Sequence, residues 1–227
     1  MDKYSSLEKR ELMDPYTDIK KEFLEIKDDL YSKGLITPFG GNISVRCPDD
    51  PGKALVTPSG VYKKFLTPDQ ILCIDLQGKM LEDSPYKPTS ETPIHLAILR
   101  ARPDVNAVVH THPVYATAFG VADLEYLPIT GDAAMVRELP IVEWTRTGSV
   151  ESGEIVASAL SNSNYVLIRN HGLFVCGPHL QYASGVTDMI EAICKGLVLC
   201  KMMGVNPRVL SAEKVALIQE MMKSHLI

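Results

Sequence analysis

The chain has 227 residues, 45% of them hydrophobic, enough for one large or two small domains that bury a core without cross-links. Lys plus Arg number 23 against 28 Asp plus Glu, a net charge of −5 with no long run of either sign. That balance argues against a nucleic-acid partner while leaving room for a local positive site that meets a small anion. Five scattered cysteines (Cys47, Cys73, Cys176, Cys194, Cys200) form no C-x-x-C pair and read as buried hydrophobes of a reducing compartment. The polar, charged N-terminus and the lack of a run of about 18 apolar residues predict a cytoplasmic protein with no membrane partner.

Residues 1–13 read as a flexible N-terminal arm and 14–227 as a single domain. Asp14-Pro15 is a capping side chain before a proline at the first helical position; Ile19, Phe23, Ile26 and Leu30 then keep helical spacing until Gly34. Asn42 to Arg46, Ala54 to Thr57 and Ile71 to Asp75 are short β-rich runs. Gln77-Gly78 turns the chain into another at Lys79 to Glu82, the pattern of antiparallel hairpins. A helix is predicted over Glu91 to Arg102, capped by Ser90 and stopped before Pro103. Val105 to His112 is the next strand and Pro113 to Gly120 a short helix. Glu151 to Leu160 is helical, Tyr165 to Arg169 and Gly172 to Cys176 are strands, and helices over Gln181 to Met203 and Ala212 to Ser224, the last capped by Ser211, end the chain. The order predicts an α/β (α+β type) domain of three layers, a mainly antiparallel sheet with helices on both faces.

His110-Thr111-His112 closes the apolar run Asn106 to Val109. Side chains two apart on a strand leave the same face, so both imidazoles can reach one ion, and His171 of Asn170-His171-Gly172 completes a tripod. Three neutral nitrogens leave a divalent ion an open position for substrate. The other histidines, His95, His179 and His225, read singly as ordinary structural residues.

Gly40-Gly41-Asn42 and Ser59-Gly60 are turns whose glycines permit close backbone approach, so that amides can converge on an anion with the Asn and Ser side chains. Thr89-Ser90-Glu91 adds two hydroxyls and their amides at a helix start, where the dipole favours negative charge. Glu91 leads the helix that precedes the His-x-His strand. A carboxylate on the open side of a three-histidine ion is what proton abstraction next to a carbonyl requires.

With Gly40-Gly41-Asn42-Ile43-Ser44-Val45-Arg46, Thr57-Pro58-Ser59-Gly60, Ser90-Glu91, Ala107-Val108-Val109-His110-Thr111-His112-Pro113 and Asn170-His171-Gly172 in this order, the chain from about Asp14 to Lys223 resembles the class II aldolase/adducin family. The resemblance implies the class II aldolase fold and His110, His112 and His171 as zinc ligands, with Fe2+, Co2+ or Mn2+ as other ions that imidazoles suit. It also implies Glu91 as the acid/base and Asn42, Ser59, Gly60, Thr89 and Ser90 around a substrate phosphate. The expected activity is cleavage or formation of a phosphorylated ketose, with a small phosphorylated sugar or hydroxyketone as partner and a homotetramer as assembly. A decarboxylase acting on a 3-oxo phosphosugar acid or aromatic hydroxy acid, with Arg137, Arg146 or Arg169 meeting its carboxylate, a methylthioribulose-1-phosphate dehydratase and, last, a non-catalytic adducin-like interaction module are the alternatives. The family's epimerases carry Asp where Glu91 stands, and its adducin-like interaction modules lack the histidines. Two departures fall on the aldehyde side. The aldolases' tyrosine after the second strand histidine is replaced by Thr130-Gly131-Asp132, with Tyr126 nearest, and the tail of the family is short here at Lys223-Ser224-His225-Leu226-Ile227.

Overall fold

Asp14 and Pro15 do open a helix, but it starts two residues later than the sequence pattern places it. In the computed structural model, which describes residues 14–223, Asp14 folds the chain into a turn first: its carboxylate accepts from the Tyr16 amide (2.9 Å) and its carbonyl from the Thr17 hydroxyl (2.7 Å). Helix α1 then spans Thr17–Ser32, buries Phe23 and Leu30, and ends before Gly34 at φ +71°. The expected N-terminal arm and the last four residues of the short tail lie outside the described residues.

Seven strands form one sheet: β1 Asn42–Arg46, β2 Lys53–Val56, β3 Leu72–Asp75, β4 Ala107–Thr111, β5 Ile141–Val142, β6 Tyr165–Ile168 and β7 Gly172–Gly177, in the order β3-β2-β1-β4-β7-β6-β5. Every pairing is antiparallel except β5 with β6. The run Lys79 to Glu82 is not a strand; it touches β3 through the single bridge Ile74–Met80.

Alternation along the strands divides the apolar residues into two cores, as the period of two demands. Ile43, Val45, Val109, Leu167, Leu173 and Val175 face α1, α3 (Val114–Val121), α4 (Gly131–Val136) and α6 (Leu180–Met202). Val56, Ile74, Val108, Val166, Phe174 and Cys176 face α2 (Thr92–Ala101) and α5 (Val150–Ala159). Complete burial of one such side chain is worth about 1.5–3 kcal/mol, so neither face can be turned outward by a register slip without large loss. The last helix, α7 (Ala212–Lys223), lies outside this sandwich on α4, where Gln219 donates to the Ala134 carbonyl (3.1 Å). Among the described residues no helix is long and apolar enough to cross a membrane.

Ser90 does not cap α2. The helix begins at Thr92 with Glu91 in the capping position, and the turn before it is closed by Thr92, whose amide and hydroxyl both donate to the Thr89 carbonyl (3.0 and 2.6 Å). That leaves Ser90 exposed and Glu91 buried at the root of the helix. Helix α4, strand β5 and the 3-10 turns at Lys63–Phe65 and Pro68–Gln70 are too short to carry a periodic pattern, although Thr67-Pro68-Asp69-Gln70 has the residue order of a capping box.

Candidate metal centre and active site

His110 stands on β4 directly opposite Asn42 on β1, and both point to the face covered by α2, where Glu91 begins that helix. The sequence places His112 on the same strand, but β4 ends at Thr111; the His112 amide donates instead to the Leu35 carbonyl (2.8 Å) in the segment after α1. The next residues are fixed by Glu191 of α6, whose carboxylate accepts from the Tyr115 and Ala116 amides (2.9 and 2.7 Å) at the start of α3. His171 sits in the tight turn between β6 and β7, made possible by Asn170 at φ +59°. Two glycines let the imidazoles close up. A Cβ on Gly40 would lie 2.6 Å from His112 Nδ1, and one on Gly172 would lie 2.3 Å from the Thr111 carbonyl and 2.7 Å from His112 Cδ2.

Ligand nitrogens of His110, His112 and His171 all lie within 4.8 Å of one another. His110 Nδ1 is 3.0 Å from the Leu173 carbonyl, which can only accept, so that nitrogen carries a proton. In a neutral ring Nε2 is then a lone pair, and it faces His112 Nε2 at 3.0 Å and the Glu91 carboxylate at 3.0 Å. Electron-rich atoms converging in this way call for a positive centre between them, and a ligating His with its other nitrogen bonded to a carbonyl is the usual arrangement around a metal. Glu91 Oε1 makes the same point. It is buried 3.2 Å from His171 Nε2 yet accepts no aligned hydrogen bond among the described residues. The donor set fits a divalent cation.

Burial lowers His112 to about 3 and His171 to about 4, so both rings are uncharged and ready to ligate near neutral pH. Burial alone would raise the Glu91 carboxyl, whereas protonated rings at His110 and His171 would hold it well below the usual carboxylate range; with those rings uncharged, the Asn42 amide donating to Oε2 is what favours the ionised form. Glu91 is therefore ionised. A bound cation would act in the same direction.

Asn42, Ser59, Gly60, Thr89, Ser90 and Glu91 meet His112 and His171 around one cavity of about 190 Å³. Its rim suits an anion. The Gly60 and Ser90 amides donate to no partner among the described residues, and Ser90 is freed by not capping α2. The Ser59 amide, by contrast, is taken up by the Lys87 carbonyl (2.8 Å), so that residue has its hydroxyl to offer.

Several residues at the site are not marked by the sequence patterns. Lys63 lines the cavity, only 3% exposed, held by the Pro58 carbonyl (3.3 Å) and by no carboxylate among the described residues; burial lowers it from the ordinary lysine value. Thr147 lines the cavity as well. His95, which reads singly as structural, is fully buried against the site through Asn42. The spacing of Lys63 and Thr147 from the motifs carries no signal, whereas His95 has one: it lies on the buried face of α2, one turn after Glu91.

Tyr126, Thr130 and Arg169 are bonded away from the cavity. The Tyr126 hydroxyl donates to the Ala133 carbonyl (3.0 Å), and Thr130 caps α4 by accepting from the Ala133 amide (3.2 Å). Arg169 pairs with Glu143 and Asp123 (2.9 and 3.0 Å). Neither it nor Arg137 or Arg146 lines the cavity. A larger groove of about 790 Å³, between Arg137, the Ser161–Tyr165 turn and α6, lies toward the end of β6 away from His171 and holds none of the candidate metal or phosphate residues.

Residues 21–198 match the family model described as Class II Aldolase and Adducin N-terminal domain. The chain is 34% identical over 175 residues to an L-fuculose phosphate aldolase of Methanococcus maripaludis, covering 77% of this chain and 93% of that one. It is 34% identical over 195 residues to the L-fuculose phosphate aldolase of Escherichia coli, covering 85% and 88%. A solved L-fuculose 1-phosphate aldolase superposes with a TM-score of 0.82 over 91% of this chain and 96% of that one, at 27% identity.

Proposed function

The chain belongs to the class II aldolase and adducin family, and from that premise we propose that this lyase cleaves and forms a phosphorylated ketose of the L-fuculose 1-phosphate kind in a metal-dependent reaction. The observation that carries the reading is the convergence of three imidazoles and the buried Glu91 carboxylate on one side of a small cavity whose other side offers free amides. In this reading His110, His112 and His171 hold the ion, zinc in the first instance. When bound, it supplies Lewis acidity to the ketone and the charge stabilisation that carbon–carbon cleavage needs.

The chain's own residues divide the remaining work. Ser59, the Gly60 and Ser90 amides, Thr89 and Asn42 hold the phosphate and so fix the carbonyl end of the substrate against the histidines. Lys63 adds the positive charge. Glu91, ionised and within reach of the same space, takes the proton from the carbon beside the carbonyl in condensation and returns it in cleavage. Its separate oxygens suit that task, because the Asn42 amide holds Oε2 while Oε1 has no aligned donor.

A homotetramer and a cytoplasmic location belong to the same reading. The test is a substrate panel assayed for dihydroxyacetone phosphate, carbon dioxide and water loss. Dihydroxyacetone phosphate from a 1-phosphoketose is the expected product. Carbon dioxide from a 3-oxo acid, or dehydration of a methylthio-pentulose phosphate, with no aldol cleavage, would overturn it.

A further inference from the structure

Behind Glu91 lies a chain of buried polar groups whose proton positions are forced. The Asn42 Nδ2 amide donates to Glu91 Oε2 (2.7 Å), which turns the amide oxygen toward His95 Nε2, 2.5 Å away. A carboxamide oxygen can only accept, so His95 Nε2 carries the proton. His95 is wholly buried, and burial lowers it to about 3, so its ring is neutral and Nδ1 is left as an acceptor. The Ser44 hydroxyl, 2.7 Å from Nδ1 and itself buried, fills that role as donor. The ring is held edge-on to Phe174 (centroids 5.7 Å apart, 66° between planes), the same Phe174 that stacks on His110 at 4.0 Å.

We propose that His95 is a positioning residue: through Ser44 on one side and Asn42 on the other, it fixes the Asn42 carboxamide so that its NH2 group faces the Glu91 carboxylate and the anion cavity. The inference rests on the proposed role of that cavity as the phosphate site. The physical need is specific. A carboxamide rotated by half a turn would set its oxygen against the Glu91 carboxylate and leave its N–H groups facing a histidine that also donates. His95 in this tautomer penalises that orientation at one end and the Glu91 carboxylate at the other. With the oxygen tied to His95, one amide hydrogen serves Glu91 and the second is available to a bound anion. Ser44 acts one step further out by selecting the tautomer, a role like that of the groups that set a ligating histidine's ring orientation.

Two substitutions separate positioning from packing. His95→Gln keeps a donor where Nε2 stood, whereas His95→Asn is too short to reach Asn42 and keeps only a group near Ser44. Both remove the ring from Phe174 and have a similar cost in packing. The measurements are thermal stability, affinity for inorganic phosphate by calorimetry, and kcat and KM for the phosphorylated ketose, with nitrogen-15 NMR of the wild-type histidines as a readout independent of any variant. The wild type is expected to show His95 protonated at Nε2 only. His95→Gln should stay within about threefold of wild type in phosphate affinity and kcat/KM, and His95→Asn should lose roughly tenfold or more in both, the size of a lost hydrogen bond to a charged group. Equal phosphate affinity in the two variants, or a His95 protonated at Nδ1, would overturn the proposal. A wild type that binds phosphate with the expected variant pattern but cleaves no ketose would refute the aldolase substrate and leave the positioning role standing.

Discussion

Gly172→Ala perturbs the centre without touching a ligand atom. An added Cβ would fall 2.3 Å from the Thr111 carbonyl oxygen, 2.7 Å from His112 Cδ2 and 3.1 Å from His110 Cε1. Favourable contacts begin near 3.5 Å, so the first two overlaps are about 1.2 and 0.8 Å and involve backbone as well as ring. Thr111 is paired with Leu173 in the β4–β7 ladder and cannot yield alone; the β7 end and the His112 ring must move apart. Overpacking of this kind costs about 1–3 kcal/mol, or a fall in Tm of about 2–12 °C for a chain of this size. Because the displaced atoms belong to two of the three proposed ligands, affinity for the ion should fall by roughly 10- to 100-fold, as when a supporting group is lost. The assay pairs thermal unfolding with zinc titration of chelator-treated protein. Gly185→Ala is the control, since nothing lies within 4 Å of the place its Cβ would take and alanine favours helix α6. Unchanged zinc affinity and Tm in Gly172→Ala would refute the packing account of the tripod.

Glu91→Gln should retain a full equivalent of metal and lose roughly 10²- to 10⁴-fold in kcat, the usual contribution of a positioned acid/base; turnover within tenfold of wild type would remove Glu91 from that role. Lys63→Met should weaken inorganic phosphate binding roughly tenfold with a smaller effect on kcat, and equal binding would show the lysine to be a structural tie to Pro58. The metal-free protein should lose stability as pH falls from about 6.5 toward 4. His95, His112 and His171 have folded values depressed to about 3, 3 and 4, so the unfolded chain takes up protons in that window and the folded one does not. Stability is fully present above the unfolded histidine value and is lost on acidification; a Tm that stays flat from pH 7 to 4 contradicts the buried, neutral histidines.

The cluster of three histidines is legible in the sequence because alternation and adjacency suffice to find it: His110 lies on a strand beside Asn42, and the His171-Gly172 turn returns to that strand. The strand's end is not legible, since what stops β4 at Thr111 is the Leu35 carbonyl, distant in sequence and taken by the His112 amide. Ser90 has the look of a cap because it precedes a helix-like run, whereas the competing turn through Thr89 and Thr92 consumes the capping geometry one residue later. His95 shows a different limit. Helical spacing places it correctly on a buried face, but its partners Asn42 and Ser44 come from β1, and only the folded sheet reveals that the ring is polar-bonded at both nitrogens. Short elements such as β5, a two-residue parallel edge, have too few residues to show a period at all.

In the proposed reaction an ion held by three histidines is required for aldol cleavage. That requirement is tested most directly by following dihydroxyacetone phosphate release from a 1-phosphoketose by wild type and His110→Ala, with bound metal measured in the same samples. The expected result is about one divalent ion per chain and cleavage in the wild type, loss of both after chelation, recovery of both with zinc, and neither in His110→Ala. Cleavage that survives in metal-free wild type or in His110→Ala would contradict it.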